Sequence, residues 1–447
     1  MAELTFAATS KQVRTKNWDI HYNEAGSGHP LVLIHGGGPG ASGWSNYNPN
    51  IPYLSQHFRV LAVDLPGWGK SQPVAYEDRD NSGAIAELLE TLGIARAAVV
   101  GNSMGGASVI RLAYERPDLV SHLITMGSPS GVPGLFEAAG LSEGVKVLER
   151  AYFEPSLETI RALTNVMTFD SSNVTDELIQ ERLDNTLAQR AHVDNWIGGH
   201  GKGPMVRLNQ EKIPTITAPT LLIQGTVDVL FPLQQAITNA AMLQAVNTPV
   251  KMVWFCGGHG DCETPNDDNA EILSATMAWL DRWVKGNKTV DTGAKFEWID
   301  QNGQYWASDV LPTDTTFHGT SISVDGGDAG GVLPIIPLVG SGPSTHVDFP
   351  YSIGDGEVAS VAINVPIAPG VAAQIVGSPE LSFDYSGIGT ATHIYAQLID
   401  NNTGLVVGNL VTPVSVTLDG AQRTAHVSLE AIAQTMSATD SLTLQLV

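Results

Sequence analysis

Three side chains, in chain order, could run nucleophilic chemistry: Ser103 in Gly101-Asn102-Ser103-Met104-Gly105, Asp228 in GTVDVLFP and His259 in FCGGHGDC. A serine hydroxyl is a weak nucleophile until an imidazole takes its proton, and the imidazole works best when a carboxylate orients it and stabilises its charge. The G-x-S-x-G motif follows the apolar run AAVV and precedes the helix-like GGASVIRLAYERP, so it falls at a strand-to-helix turn. Such a turn needs glycine where a side chain would clash, exposes the hydroxyl, and aims the start of a helix at the reaction centre. The bland alternative is a tight packing turn. Asp228 and His259 would each pass alone for a turn former and a surface histidine. Both follow a strand signal, TLLIQG and VKMVWFC, and their joint occurrence in the order Ser, Asp, His points to a triad.

A negative oxygen formed at the substrate must also be held. The backbone N–H of Met104, next to the nucleophile, is one candidate donor, and HGGGPG at 35–40 supplies a second at Gly37. Glycines there let the backbone approach closely, and no GK[ST] follows that would make this a phosphate loop. His35 reads as a structural hydrogen-bonding residue.

Both cysteines, Cys256 and Cys262, flank His259 symmetrically in FCGGHGDCETP. A metal clip needs three or four ligands, and Cys-x2-His-x2-Cys offers three with no evident fourth. A disulfide between them is conceivable. The reading preferred here is that His259 is the general base and the cysteines are small packing residues. No metal or other cofactor is expected.

The elements needed to position these groups are written along the chain. From residue 30 to about 285, the runs PLVLIHG, RVLAVDLPG, AAVVGNS, HLITMGS, TLLIQGTVD and VKMVWFCGGHG alternate with helical patterns, the mark of a mostly parallel sheet covered on both faces. Between about 130 and 212 the strand signals give way to amphipathic segments such as SEGVKVLERAY and TDELIQERLDNTLAQRA, a helical insertion placed to act as a lid. After 287–294, read as a linker, the chain becomes rich in Gly, Thr, Ser and Val, with alternating stretches such as HIYAQLI and DSLTLQLV. The expected architecture is therefore an α/β domain over 1–286 and a β-sandwich or jelly roll over 295–447.

Forty-six acidic against 23 basic residues give a net charge of −23, which opposes binding to nucleic acid or anionic lipid. The N-terminal stretch lacks a basic segment followed by an apolar run, and no run of about 20 apolar residues occurs. Together with only two cysteines, this leads to the expectation of a cytoplasmic protein acting on a small molecule, with no membrane partner. A homo-oligomer is left open.

HGGGPGASGWSN (35–46), with IHYNEAGSG (20–28), VGNSMGGA (100–107) and MGSPSG followed by LSEGVKVL, resembles the meta-cleavage product hydrolases. These are α/β-hydrolases that cut a carbon–carbon bond in the 2-hydroxy-6-oxo-dienoates made by aromatic or steroid ring fission, and the resemblance runs from about Trp18 to Trp196. It implies a triad of Ser103, Asp228 and His259 and an oxyanion hole at Gly37 and Met104. It also implies a substrate-binding set of Asn46, Asn102 and Gly38 with a lid arginine, best matched by Arg190 and with Arg207 in reserve. The family usually carries a tryptophan directly after the histidine, where this chain has Gly260. Beyond about 215 the chain looks instead like the acyl hydrolases related to cocaine esterase and X-Pro dipeptidyl peptidase, which end in a jelly roll. A carboxylesterase acting through an acyl-enzyme on Ser103 is therefore the competing function, with amidase or peptidase action behind it. A non-catalytic binding protein is disfavoured by the complete set of catalytic elements.

Overall fold

The computed structural model describes residues 4–131, 143–167, 174–203, 206–228, 230–259, 268–312, 359–363, 373–409 and 411–446. Ten strands form one sheet: β1 (Ser10–Arg14), β2 (Asp19–Ala25), β3 (Pro30–Ile34), β4 (Arg59–Val63), β5 (Ala97–Asn102), β6 (Val120–Met126), β7 (Thr220–Gly225), β8 (Val250–Phe255), β9 (Phe296–Ile299) and β10 (Tyr305–Ser308). Their order across the sheet is β1-β2-β4-β3-β5-β6-β7-β8-β9-β10. Pairing is parallel from β4 through β9 and antiparallel at the two ends. The central strands are near-continuous apolar runs because both faces are covered. Val32, Ile34, Leu61, Val63 and Val99 belong to one core cluster, while Leu31, Leu33, Val60, Ala62, Ala98 and Val100 belong to another. The period of two in a strand sends alternate side chains to opposite faces.

The helices are α1 (Phe6–Thr9), α2 (Gly43–Tyr47), α3 (Ile51–Leu54), α4 (Asn81–Thr91), α5 (Met104–Glu115), α6 (Glu143–Phe153), α7 (Leu157–Met167), α8 (Asp176–Ala188), α9 (Arg190–Ile197), α10 (Leu233–Gln244) and α11 (Asp268–Trp279). The expected lid is α6 to α9. It owns a core of Val147, Ala151, Ile160, Leu163, Val166, Ile179 and Leu183, into which Leu230 from the loop after β7 inserts. Thr175 caps α8 through the Leu178 N–H, and the helix ends where Gln189 leaves helical backbone at φ −119° and ψ 49°, so that α9 starts in a new direction at Arg190.

The C-terminal strands are β11 (Ala359–Ile363), β12 (Ala373–Gly377), β13 (Glu380–Tyr385), β14 (His393–Asp400), β15 (Leu405–Val406), β16 (Thr412–Ser415), β17 (Arg423–Ser428), β18 (Ile432–Met436) and β19 (Leu442–Leu446). They pair antiparallel in separate sheets that share a core of Leu398, Val414, Leu429, Ile432, Met436 and Leu444. The all-β class read from the sequence is present.

The linker expected at 287–294 is not where the sheet ends. β9 pairs parallel with β8, and the hairpin β9–β10 extends the large sheet to residue 308. A buried ion pair fixes this extension: Lys251 on β8 meets Glu297 on β9, and the same ammonium donates to the Thr292 carbonyl. Two charges out of water persist only when both are paired and hydrogen-bonded. The all-β part then docks on the extension, with Ala431 and Ala433 against Trp254, Phe296 and Trp298, and Gln301 exchanging two hydrogen bonds with the Thr435 backbone.

Glu430, beside this docking surface, is 4% exposed, and neither of its carboxyl oxygens has a hydrogen-bond partner among the described residues. Burial pushes its pKa up to about 7 from 4.5. The folded chain therefore holds a proton that the unfolded chain releases, and stability falls as pH rises from about 4.5 through 7. Glu430→Gln removes that penalty. Its unfolding free energy is expected to exceed the parent's at pH 8 by roughly 3 kcal/mol and to match it near pH 4.5; a constant difference across that range would refute the assignment.

Candidate active site

Ser103 sits between β5 and α5 with φ 55° and ψ −122°, one of two non-glycine residues with positive φ among the described residues. That conformation is strained for a residue with a Cβ and persists only where the surroundings impose it. The surroundings are glycines. A Cβ on Gly101 would lie 2.4 Å from the Gly105 carbonyl oxygen, and one on Gly105 would lie 2.4 Å from that of Ile34. The Ser103 N–H donates to the Met126 carbonyl at 2.8 Å, which ties the turn to β6. Met104 opens α5, so its N–H belongs to the positive end of a 12-residue helix.

The loop after β7 carries Asp228, 1% exposed. Its Oδ1 accepts the N–H groups of Leu230 and Phe231 at 2.9 Å each, and its Oδ2 accepts the Gln224 side-chain amide at 2.9 Å. The same Oδ2 lies 2.8 Å from Nδ1 of His259, on the loop after β8. A carboxylate facing Nδ1 fixes the proton there and leaves Nε2 as the basic nitrogen. Nε2 is buried with no hydrogen-bond partner among the described residues, so a hydrogen bond to the Ser103 hydroxyl is not formed here. Such contacts commonly tighten only when substrate binds.

Gly127, at the end of β6, makes room for the imidazole. With φ +52°, a Cβ there would stand 2.7 Å from Cε1 and 2.8 Å from Nδ1 of His259 and 3.2 Å from Asp228 Oδ2. Gly127→Ala is expected to displace the ring and lower kcat by about 100-fold, with KM changed far less; steady-state kinetics that show an unperturbed kcat would contradict this placement.

The glycine loop lies against the serine turn. A Cβ on Gly36 would meet the Asn102 Oδ1 at 2.9 Å and the Ser103 Cβ at 3.3 Å. Gly36 N–H donates to Asn46 Oδ1 at 3.2 Å, Asn102 Nδ2 donates to the Met126 carbonyl at 3.4 Å, and the Gly37 carbonyl accepts the Tyr152 hydroxyl at 2.5 Å. His35 is fully buried, with Nε2 accepting from the Leu65 N–H, the structural role expected of it. Gly37, Gly38, Asn46, Asn102, Ser103 and Met104 are thus gathered on one rim, with the Asp228–His259 pair on the loops that follow β7 and β8.

Arg190 is not part of that rim. It is exposed and paired with Asp194 one turn along α9, and Arg207 is exposed and donates to the Lys202 carbonyl. The lid arginine that reaches the site is Arg182: a Cβ on Gly38 would be 2.4 Å from its Nη2. Arg182 is half-buried, its Nε is enclosed with no hydrogen-bond partner among the described residues, and burial lowers its pKa while Tyr152 opposes that shift. The correction has a plain cause. Ile179, Leu183 and Thr186 mark the buried stripe of α8, Arg182 borders it, and the chain turns at Gln189 before reaching Arg190. Sequence reasoning also missed Gln224, Tyr152, Gly127 and Phe231, whose ring centroid lies 5.5 Å from that of His259.

Cys256, fully buried, is not the free packing thiol expected of it, since it is disulfide-bonded. Gly260 and Cys262 lie outside the described residues. Among the described residues no group of three His, Cys, Asp or Glu side chains is placed to hold a metal.

Residues 30–262 match the family model described as alpha/beta hydrolase fold, which carries the match past 215, where the sequence resemblance changes. The chain is 38% identical over 284 residues to a 2-hydroxy-6-oxononadienedioate/2-hydroxy-6-oxononatrienedioate hydrolase of Paraburkholderia xenovorans, covering 61% of this chain and 97% of that protein. It is also 38% identical over 298 residues to a 2-hydroxy-6-oxo-6-phenylhexa-2,4-dienoate hydrolase of Comamonas testosteroni, covering 64% and 96%. The solved 2-hydroxy-6-oxo-6-phenylhexa-2,4-dienoate hydrolase of Rhodococcus sp. strain RHA1 superposes with a TM-score of 0.52 at 24% identity, over 62% of this chain and 98% of that one.

Proposed function

Because this chain belongs to the alpha/beta hydrolase fold family, and its relatives at 38% identity are named as dienoate hydrolases, we propose that it hydrolyses a carbon–carbon bond in a 2-hydroxy-6-oxo-dienoate through Ser103, Asp228 and His259. The observation that carries this reading is Arg182. A guanidinium held against the glycine loop is the group that recognises a carboxylate bidentately, and a dienoate has one at the end remote from the bond to be cut, whereas a simple neutral ester has none.

With the carboxylate on Arg182 and the 2-oxygen near Asn46 and Asn102, the 6-oxo carbon falls toward Ser103. His259 Nε2, the free basic nitrogen, first moves the enol proton to C5, which turns that carbon into a leaving group. It then takes the Ser103 proton as Oγ attacks C6, and the developing oxyanion faces the N–H groups of Gly37 and Met104. Breaking the C5–C6 bond sends its electron pair into the conjugated 2-oxo group, the protonated His259 gives the Ser103 proton to that dienolate, 2-hydroxypenta-2,4-dienoate leaves, and C6 remains as an acyl group on Ser103. Water then frees it as a carboxylic acid.

The test is direct. A yellow ring-fission product with an alkyl, phenyl or steroid-derived R group is expected to bleach with enzyme. Rapid p-nitrophenyl ester turnover beside no bleaching of any dienoate would favour the carboxylesterase reading.

No helix among the described residues is long and apolar enough to cross a membrane. The cytoplasmic placement expected from the sequence is in keeping with relatives named as dienoate hydrolases. Protein denatured without reductant is expected to take up no iodoacetamide at Cys256; modification before reduction would show a free thiol there.

A further inference from the structure

A cavity of about 160 Å³ lies between the α8–α9 corner of the lid and the loops that follow β3 and β4. None of Ser103, Asp228, His259, Asn46, Asn102 or Arg182 lines it. It is therefore distinct from the triad, although Tyr152, whose hydroxyl holds the glycine loop, forms part of its wall.

Three features define what it would bind. Its walls include Phe6, Trp68 and Tyr152, and a cavity of about 150 Å³ accommodates a benzene ring. One wall holds His192, 7% exposed, with Nε2 at 3.2 Å from the Gly69 carbonyl. A carbonyl only accepts, so Nε2 carries the proton and Nδ1 is a bare acceptor; it is buried with no hydrogen-bond partner among the described residues. At the rim Lys70 stands 4.3 Å from the centre of the Phe6 ring, with no ion pair to a carboxylate among the described residues. The single carboxylate in the lining, Asp64, is already engaged: Oδ1 accepts the Gly43 N–H, and Oδ2 faces the Lys70 N–H and His21 Nδ1. The cavity is thus lined by three aromatic side chains, a histidine whose Nδ1 lacks a donor, and one cation that lacks an anion.

We infer that this cavity binds a small aromatic hydroxy acid, its ring between Phe6, Trp68 and Tyr152, its hydroxyl donating to His192 Nδ1 and its carboxylate at Lys70. Burial, which holds the His192 pKa below its ordinary value, keeps that ring neutral and Nδ1 available. The inference stands on the cavity alone and does not depend on which bond Ser103 cleaves.

The probe is 4-hydroxybenzoate, titrated by calorimetry onto the full chain with Ser103 blocked by an organophosphonate, with benzoate and phenol as the two truncated arms. Saturable binding at millimolar concentration is expected, weakened about tenfold by loss of either polar group and about tenfold in Lys70→Met and His192→Phe. Both variants are expected to keep ester or dienoate turnover within about twofold, because neither residue touches the Ser103 cleft. Lys70 is at the surface, so its variant folds even if His192→Phe does not. Absence of binding overturns the inference, as does binding that benzoate and phenol equal, that Lys70→Met leaves unchanged, or that Arg182→Met abolishes.

Discussion

Ser103→Ala is expected to lower kcat by at least about 10⁴-fold on dienoate and ester alike, with the unfolding midpoint unchanged or slightly raised. The size of the loss follows from what the residue does: without Oγ there is no covalent step, and the oxyanion donors and His259 retain only the residual catalysis of a prearranged site. The unaltered fold follows from its neighbours. Gly101 and Gly105 shape the turn, and the Ser103 N–H bond to Met126 is a backbone contact that alanine keeps. Relief of strain does not enter, since alanine carries the same Cβ at φ 55°. Kinetics that left more than about 1% of kcat would remove Ser103 from the nucleophile's role.

Arg182→Met is expected to reduce kcat/KM for a dienoate by about 100-fold, the loss of a charge-assisted contact in a partly dry site. It should change kcat/KM for a neutral p-nitrophenyl ester by less than about threefold, because that substrate has no carboxylate to hold. Arg190→Met is the control, expected to act within about twofold on both, because an exposed pair with Asp194 contributes little. Equal losses on dienoate and ester would make Arg182 a support for the lid rather than a substrate contact. Equal effects of the two arginine variants would undo the correction altogether.

What the sequence disclosed and what it withheld divide along a physical line. The sharp turn at Ser103 and the loops that bring Asp228 to His259 were legible because each follows an apolar strand, where local turn chemistry is written in a few neighbouring residues. The choice between Arg182 and Arg190 was not, since both lie in one helix-like stretch and the break at Gln189 has no glycine or proline to announce it. The stripe of Ile179, Leu183 and Thr186 was the usable signal. FEWIDQNGQYW carried a hairpin signal in Asn302-Gly303, where Gly303 takes φ 73°. Which sheet that hairpin would join depends on partners 44 residues away on β8, as the pairing of Met252 with Phe296 illustrates, and local pattern does not reach so far. Cys256 was beyond reach for another reason: spacing alone does not set the oxidation state of a thiol.

The hairpin of β9 and β10 has an evolutionary consequence. A chain assembled from interchangeable cassettes is usually divided at a flexible joint, and here such a cut near 286 would pass inside the sheet, stripping the edge from β8 and leaving Lys251 without Glu297. The hydrolytic half has come to own its neighbour's first two strands. Any recombination that exchanges the all-β half must therefore cross after residue 308, on the far side of the ladder, or carry a matching edge with it.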